Sequence, residues 1–330
     1  MNSLKNKKVL VTGAGGFIGS HLIDCLIKDK ARITALVRYV SSGQTGWLDS
    51  LKPAVKSHIS IIRGDIRDPD LCLQAVKDND YIFHLAAQIA IPYSYIAPRD
   101  FIAVNINGTA NLLQAARSAK IKKFLHVSTS EVYGNAQYVP IDEKHPQVAQ
   151  SPYSASKIGA DKMVESFVLS YNFPAVTVRP FNCYGPRQSA RAIIPTIILQ
   201  ALKGRTIKLG NINTRRDLNF VTDIAGGMIG AITSEKACGS IINLSSGHDY
   251  SIAELVEMIG AILGRKLNII IEKRRQRPKN SEVARLCGDN LLAGKLIDYR
   301  PKVSIQSGLK KTIAFFEKNI DGYTREDYLI

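Results

Sequence analysis

Short apolar runs rich in Val, Ile, Leu or Phe occur at 8–12, 32–37, 59–63, 81–85, 124–128 and 175–179. Between them, near 18–29, 69–77, 100–119 and 152–171, apolar residues recur every three or four positions. Continuous apolar strands alternating with longer amphipathic helices predict a parallel sheet covered on both faces. Right-handed crossovers then make the sheet doubly wound, an α/β fold. Beyond 179 the rhythm changes: Pro180, Pro186 and Pro195 interrupt it, and helices are predicted in pieces at 194–203, 223–233, 252–263 and 306–318. Ser251 followed by Glu254 reads as a capping box, which gives Glu254 a structural role. Leu309, Ile313, Phe316 and Ile320 share one helical face and read as core. The pattern divides the chain near 180, into a first domain over 1–180 and a smaller, loop-rich lobe over 181–330 that partly returns to the first sheet.

Composition narrows the class. With 45% hydrophobic and 22% charged residues in 330, the chain can bury a large core, which excludes disorder for most of its length. No run approaches 18 apolar residues, so no transmembrane helix is expected, and the lead MNSLKNKK carries no secretory apolar segment. Cys25, Cys72, Cys183, Cys238 and Cys287 are scattered without paired spacing. That fits a reducing cytoplasm, with neither disulfides nor a metal site expected. His84 and His126 fall in buried-strand contexts and read as core histidines. The net charge of +16 favours an anionic partner: nucleic acid, membrane surface and phosphorylated small molecules all qualify.

Chemistry enters with Gly13-Ala14-Gly15-Gly16-Phe17-Ile18-Gly19, which follows the first strand and opens the first helix. Glycines there let backbone approach a pyrophosphate, and the helix dipole favours the anion, so the loop reads as a dinucleotide site. The second strand ends Val37-Arg38 where an aspartate would bind a ribose 2′-hydroxyl. A cation there suits a 2′-phosphate and points to NADP; with Arg38 lying over the adenine instead, the cofactor would be NAD. Asp65-Ile66, after the third strand, is placed to meet the adenine, or else to cap the turn before Pro69. Further on, Ser151 and Pro152 start a helix on which Tyr153 and Lys157 share a face. An ammonium beside a phenol lowers the phenol's pKa toward neutrality and yields a base for an alcohol proton.

With these pieces the chain resembles the extended short-chain dehydrogenase/reductases, the nucleotide-sugar epimerases and dehydratases. The matching segments run in order: TGAGGFIG (12–19), GDI (64–66), HLAA (84–87), NINGT (105–109), STSEVYG (128–134), YSASK (153–157), RPFNCYGP (179–186) and RRDLNFVTD (215–223). The resemblance implies a Rossmann domain over 1–180 and a nucleotide-sugar lobe over 181–330. It implies cofactor contacts from Gly13, Gly16, Phe17, Ile18, Gly19, Arg38, Asp65, Ile66, Leu85, Ala86, Ala87 and Asn105, with Tyr153 and Lys157. Thr129, Tyr153 and Lys157 would form the catalytic trio, Thr129 reaching the sugar 4-hydroxyl. Asn182, Arg216 and Arg277 would hold the sugar nucleotide, with help from Arg187 and Arg191.

A 4-epimerase needs only the trio, whereas elimination of water also needs a base for the C5 proton and an acid for the departing 6-hydroxyl. Glu131, two residues past Thr129 at the C-terminal end of a strand, can serve both, directly or through Ser130. Thr-Ser-Glu resembles the GDP-mannose 4,6-dehydratases and also occurs in UDP-glucuronate decarboxylases. The stretches 36–49, 91–98, 137–146, 185–197 and 277–290 resemble bacterial 4,6-dehydratases of N-acetylglucosamine nucleotides of the legionaminate type. The expectation is a cytoplasmic nucleotide-sugar 4,6-dehydratase acting on UDP- or GDP-N-acetylglucosamine. Alternatives are a UDP-glucuronate decarboxylase, a UDP-hexose 4-epimerase, or a non-catalytic dinucleotide- or nucleic-acid-binding protein. No nucleic-acid motif is present. By analogy the helices over 100–119 and 152–171 would pair into a homodimer.

Overall fold

The computed structural model describes residues 3–323, so Met1 and Asn2 of the basic lead lie outside the described residues. Strands β1 (Lys8–Thr12), β2 (Arg32–Arg38), β3 (Ile59–Gly64), β4 (Tyr81–His84), β5 (Lys123–Val127) and β6 (Ala175–Pro180) follow the apolar runs to within a residue at either end. Helices α1 (Phe17–Lys28), α2 (Pro53–Lys56), α3 (Pro69–Val76), α4 (Ile91–Ile96), α5 (Pro98–Phe101), α6 (Gly108–Ser118) and α7 (Pro152–Tyr171) lie between them. The helix expected over 100–119 is not continuous: α5 passes into a π-helical segment, Ile102–Asn107, before α6 begins. That wider turn carries Asn105, buried, whose amide bonds the backbone of Gln88 and the Ser156 hydroxyl of α7.

After β6 come β7 (Asn182–Tyr184), α8 (Ile193–Lys203), β8 (Thr206–Leu209), β9 (Arg215–Phe220), α9 (Val221–Thr233) and β10 (Ile241–Leu244). The chain continues through β11 (Asp249–Ser251), α10 (Ile252–Ile262), β12 (Asn268–Ile271), β13 (Arg285–Leu286), α11 (Leu291–Ile297) and α12 (Ile305–Lys318). The main sheet has seven strands in the order β10-β6-β5-β4-β1-β2-β3, all parallel. Its edge strand β10 comes from the second half of the chain and pairs β6, the expected return. Alternate residues of one strand serve opposite faces. Val9 and Val11 pack with Leu22, Ile23 and Met228 on the α1 and α9 side, while Leu10 packs with Ile82, Phe124 and Leu112 on the other.

A separate cluster fills the space between α8, α10 and α12, with Ile197, Leu255, Ile259, Leu309, Ile313 and Phe316 buried in it. Leu309, Ile313 and Phe316 are thus core as expected, Ile320 packs at the cluster's margin, and Ser251 with Glu254 forms the capping box of α10. Strands β11, β9 and β13 form a small sheet with β7 attached to β9. Strand order reverses at β1, where β4 lies on one side and β2 on the other, so the crevice at the C-terminal ends of these strands is the place for a ligand.

Candidate active site

The glycine loop works through backbone. Gly13 has φ +69°, and a Cβ on it would stand 2.9 Å from the Ala86 nitrogen; one on Gly19 would run into the Gly13 carbonyl. Gly16 is the N-cap of α1, where no side chain takes up the terminal N–H groups and no acidic residue sits in the first turn. An uncapped helix start beside a cradle that any Cβ would fill fits a dinucleotide pyrophosphate. Thr12, His84 and Thr109 brace it from below. Thr109 donates to the Asn105 carbonyl (2.6 Å), so His84 Nε2 donates to Thr109 and its Nδ1 accepts from Thr12, both at 2.9 Å. The Thr12 oxygen in turn accepts from the Leu85 and Ala86 nitrogens, fixing the strand exit that runs on to Ala87. His84 is therefore a satisfied core histidine, and burial keeps it neutral.

Arg38 is exposed at the end of β2, in register with Gly64. Asp65 follows, but its carboxylate is taken up by Arg67, through the backbone nitrogen, Nε and Nη2 at 2.9, 3.0 and 2.7 Å. Those bonds hold Asp65 below the usual carboxylate range. Ile66 turns inward, buried against Gly108 of α6. Phe17 and Ile18 open α1 and lean on the smaller hydrophobic cluster. Asn105 ties the Gln88 backbone to α7, so it supports the crevice from behind.

Opposite the loop, Thr129 ends the β5 exit as N-cap of a single 3₁₀ turn, Ser130–Tyr133, accepting from the Glu131 nitrogen at 3.2 Å. Its hydroxyl also reaches the Tyr153 phenol. Ser151 and Ser154 form the capping box that starts α7, with Pro152 in the first turn, and this places Tyr153 and Lys157 toward the crevice. Lys157 Nζ donates to the Val127 carbonyl at 2.7 Å; burial pulls its pKa down to about 8, against the raising effect of Asp161. The expected fall of the Tyr153 pKa is not found. Burial pushes the phenol above its ordinary value, the Thr129 hydrogen bond lowers it only in part, and the ammonium of Lys157 is turned to the Val127 carbonyl instead.

Ser130 is buried in the turn, and Glu131 points to the crevice with Arg277 Nη1 3.8 Å from its Oε2. Arg216, buried on β9, donates to the Arg215 carbonyl (2.9 Å) and lies 3.8 Å from Glu282. Its charge also acts with those of Glu131 and Arg277, so three elements converge here. Asn182 Oδ1 on β7 is buried without a hydrogen-bond partner. Two expected substrate arginines are engaged elsewhere. Arg187 pairs with Asp24 of α1 at 2.8 Å, beside a second tie from His21 to the Pro186 carbonyl at 2.9 Å. Arg191 is exposed and rests on the Ser189 hydroxyl at 3.4 Å.

The family model described as GDP-mannose 4,6 dehydratase matches residues 10–312. The chain belongs to this family. It is 32% identical over 327 residues to a dTDP-glucose 4,6-dehydratase of Actinoplanes sp., covering 96% of this chain and 100% of the relative. Among solved structures it resembles the UDP-N-acetylglucosamine 4-epimerase of Methanobrevibacter ruminantium M1 in complex with UDP-N-acetylmuramic acid, at 31% identity and TM-score 0.85, covering 96% and 99% of the two chains. It also resembles the UDP-glucuronic acid 4-epimerase of Bacillus cereus in complex with UDP-glucuronic acid and NAD, at 29% identity and TM-score 0.87, covering 94% and 99%. Dehydratases and epimerases of nucleotide sugars thus share this scaffold, as expected of the extended short-chain dehydrogenase/reductases.

Several residues of this family member's site escaped sequence reasoning. Arg67 occupies Asp65, and the Thr45–Trp47 segment closes on the glycine loop, the Trp47 nitrogen donating to the Gly15 carbonyl at 2.9 Å. Beneath Lys157 lie Asp161 and Arg179, joined at 2.9 Å. Only Asp161 carried a local signal, one helical turn beyond Lys157 on the same face.

Proposed function

We propose that the chain is a nucleotide-sugar 4,6-dehydratase that converts UDP- or GDP-N-acetylglucosamine to the 4-keto-6-deoxy sugar nucleotide. The observation that carries this reading is Glu131: a carboxylate in the same turn as Thr129, whose hydroxyl reaches Tyr153. A nicotinamide cofactor held over the glycine loop would supply the hydride acceptor for C4 and, once reduced, the hydride donor for C6. Tyr153, as the phenolate, takes the C4 hydroxyl proton while Thr129 orients that hydroxyl; burial opposes that ionisation, and the positive charge of Lys157, held on Val127 behind them, favours it. Glu131 removes the C5 proton, acidified by the C4 ketone, and delivers a proton to the departing 6-hydroxyl directly or through Ser130. Arg277, Arg216 and Asn182 bind the sugar nucleotide. Nothing is oxidised or reduced overall, so the cofactor is recycled within each turnover.

Arg38 at the end of β2 supports NADP as the cofactor, while the NAD held by the Bacillus cereus epimerase supports NAD as the second reading. A homodimer is part of the proposal: Ile96 at the end of α4, Ile102 at the start of the π-helical segment, and Leu169 and Tyr171 on α7 are large exposed apolar side chains, 50–79% accessible. The test is the mass of the product after incubation with each N-acetylglucosamine nucleotide. Loss of one water supports the dehydratase. An isomer of unchanged mass makes the chain a 4-epimerase, and carbon dioxide released from UDP-glucuronate makes it a decarboxylase.

A further inference from the structure

Beneath Lys157 lies a buried polar network that the reaction above does not use. Asp161, one turn along α7 and fully enclosed, accepts from Arg179 of β6 through Nε at 3.1 Å and Nη2 at 2.9 Å. Arg179 Nη1 donates to the Tyr133 hydroxyl at 3.0 Å, and that hydroxyl donates to Asn243 of β10 at 2.7 Å. Tyr133 closes the turn that carries Glu131. The other carboxylate oxygen of Asp161 faces His126 Nε2 at 3.3 Å, and neither has a well-aligned hydrogen bond. A chain of side chains therefore runs from the Tyr153–Lys157 helix to the Glu131 turn, and its one anion is Asp161.

We propose that Asp161 is a positioning residue for catalysis: it opposes the charge of Lys157 and, through Arg179 and Tyr133, holds the Glu131 turn against α7. The inference rests on the reading in which Lys157 and Glu131 serve the reaction. The titratable and charged groups around Lys157 are Tyr153 and Asp161 on α7, His84 on β4, His126 on β5, Arg179 on β6 and Glu131 in the turn. Asp100 on α5, which also packs against α7, is taken up by the Tyr93 hydroxyl at 2.9 Å. Burial keeps both histidines neutral, with His126 down at about 4, so neither adds a repelling positive charge beside Lys157 at working pH. Asp161 is the group that raises the proton affinity of Lys157 against burial. Its own carboxyl is pushed up by burial, but the His126 contact and the Arg179 charge overcome this and hold it at about 2, so it stays ionised at every working pH.

The direct test titrates Lys157 in the substrate-free protein by the 13Cε shift of labelled lysine, assigned by its loss in Lys157→Arg. The wild-type midpoint is expected near 8. In Asp161→Asn it should fall by about one unit or more, and Asp161→Glu should restore it. At pH 8, where a one-unit fall takes the protonated share of Lys157 from about half to about a tenth, kcat of Asp161→Asn should fall about fivefold or more with KM nearly unchanged. Because a lone buried Arg179 could unfold that variant, Asp161→Asn with Arg179→Met keeps the test open: it should fold and still show the lowered midpoint. A folded Asp161→Asn protein, or a folded double variant, with an unshifted midpoint overturns the proposal and leaves Asp161 as a mere counter-ion of Arg179. The titration needs no turnover. A shifted midpoint in a protein that never releases water would therefore sink the dehydratase reading and not this one.

Discussion

At the glycine-loop end of the crevice the working groups are the backbone N–H donors of the first turn of α1, which no side chain caps and which a ligand can approach because Gly13, Gly16 and Gly19 carry no side chain. At the Tyr153 end they are side chains from β5, α7, β6 and the 130–133 turn, with Lys157, Asp161 and Arg179 buried as charges. The first end is organised by local sequence and, on the proposed reading, would bind an anion with dipoles, so it has almost no titration behaviour. The second is assembled from distant segments, and burial moves nearly every proton affinity in it. The difference assigns recognition to one end and proton handling to the other, and it predicts different failures when each is damaged.

The largest expected effect is at the proton-handling end: Tyr153→Phe should lower kcat by about 10²–10⁴ while dinucleotide binding, read by titration calorimetry, stays near wild type. A comparable loss of dinucleotide affinity would erase the division of labour. Next comes acid stability. His126 stays neutral in the folded protein down to about 4, whereas the unfolded chain protonates it near 6.5. The unfolded state therefore binds more protons in that window, and stability present above 6.5 is lost as pH falls toward 4, by about 3 kcal/mol from this group. Denaturant melts at pH 7 and pH 4.5 should show the loss, and His126→Asn should flatten it; an equal slope in the variant would refute the assignment. At the other end, Gly13→Ala should cost about 1–3 kcal/mol of strain and weaken dinucleotide binding, with a pH–stability profile parallel to wild type. The smallest change is Arg38→Ala, which should weaken NADP more than NAD; equal losses for both would favour NAD.

The same contrast governs what the sequence disclosed. Strands β1 to β6 of the main sheet, the glycine loop and α7 follow from patterns within ten or twenty neighbouring residues, and the structure places them within a residue or two, whereas the seventh strand, β10, was not read from the sequence. The N-cap at Ser151 and the capping box at Ser251 were legible for the same reason. The break of the 100–119 helix was not, because the π-helical segment shows itself only once Asn105 meets Gln88 and Ser156. The pairing of Arg187 with Asp24 of α1 was not legible either, because the two lie far apart in the chain. The phenol of Tyr153 was expected near neutrality from its spacing to Lys157, yet spacing carries no information on burial, which decides its direction. Asp161, Arg179, Tyr133 and Asn243 come from four segments, and only the folded chain joins them.

The central claim is that Glu131 separates elimination from oxidation. Its most direct test is wild-type protein and Glu131→Gln incubated side by side with the proposed N-acetylglucosamine nucleotides, followed by reduced-nicotinamide absorbance and product mass. The account predicts that in Glu131→Gln the absorbance appears and persists, showing C4 oxidation, while no product lighter by one water forms. Water loss at the wild-type rate in this variant would contradict it.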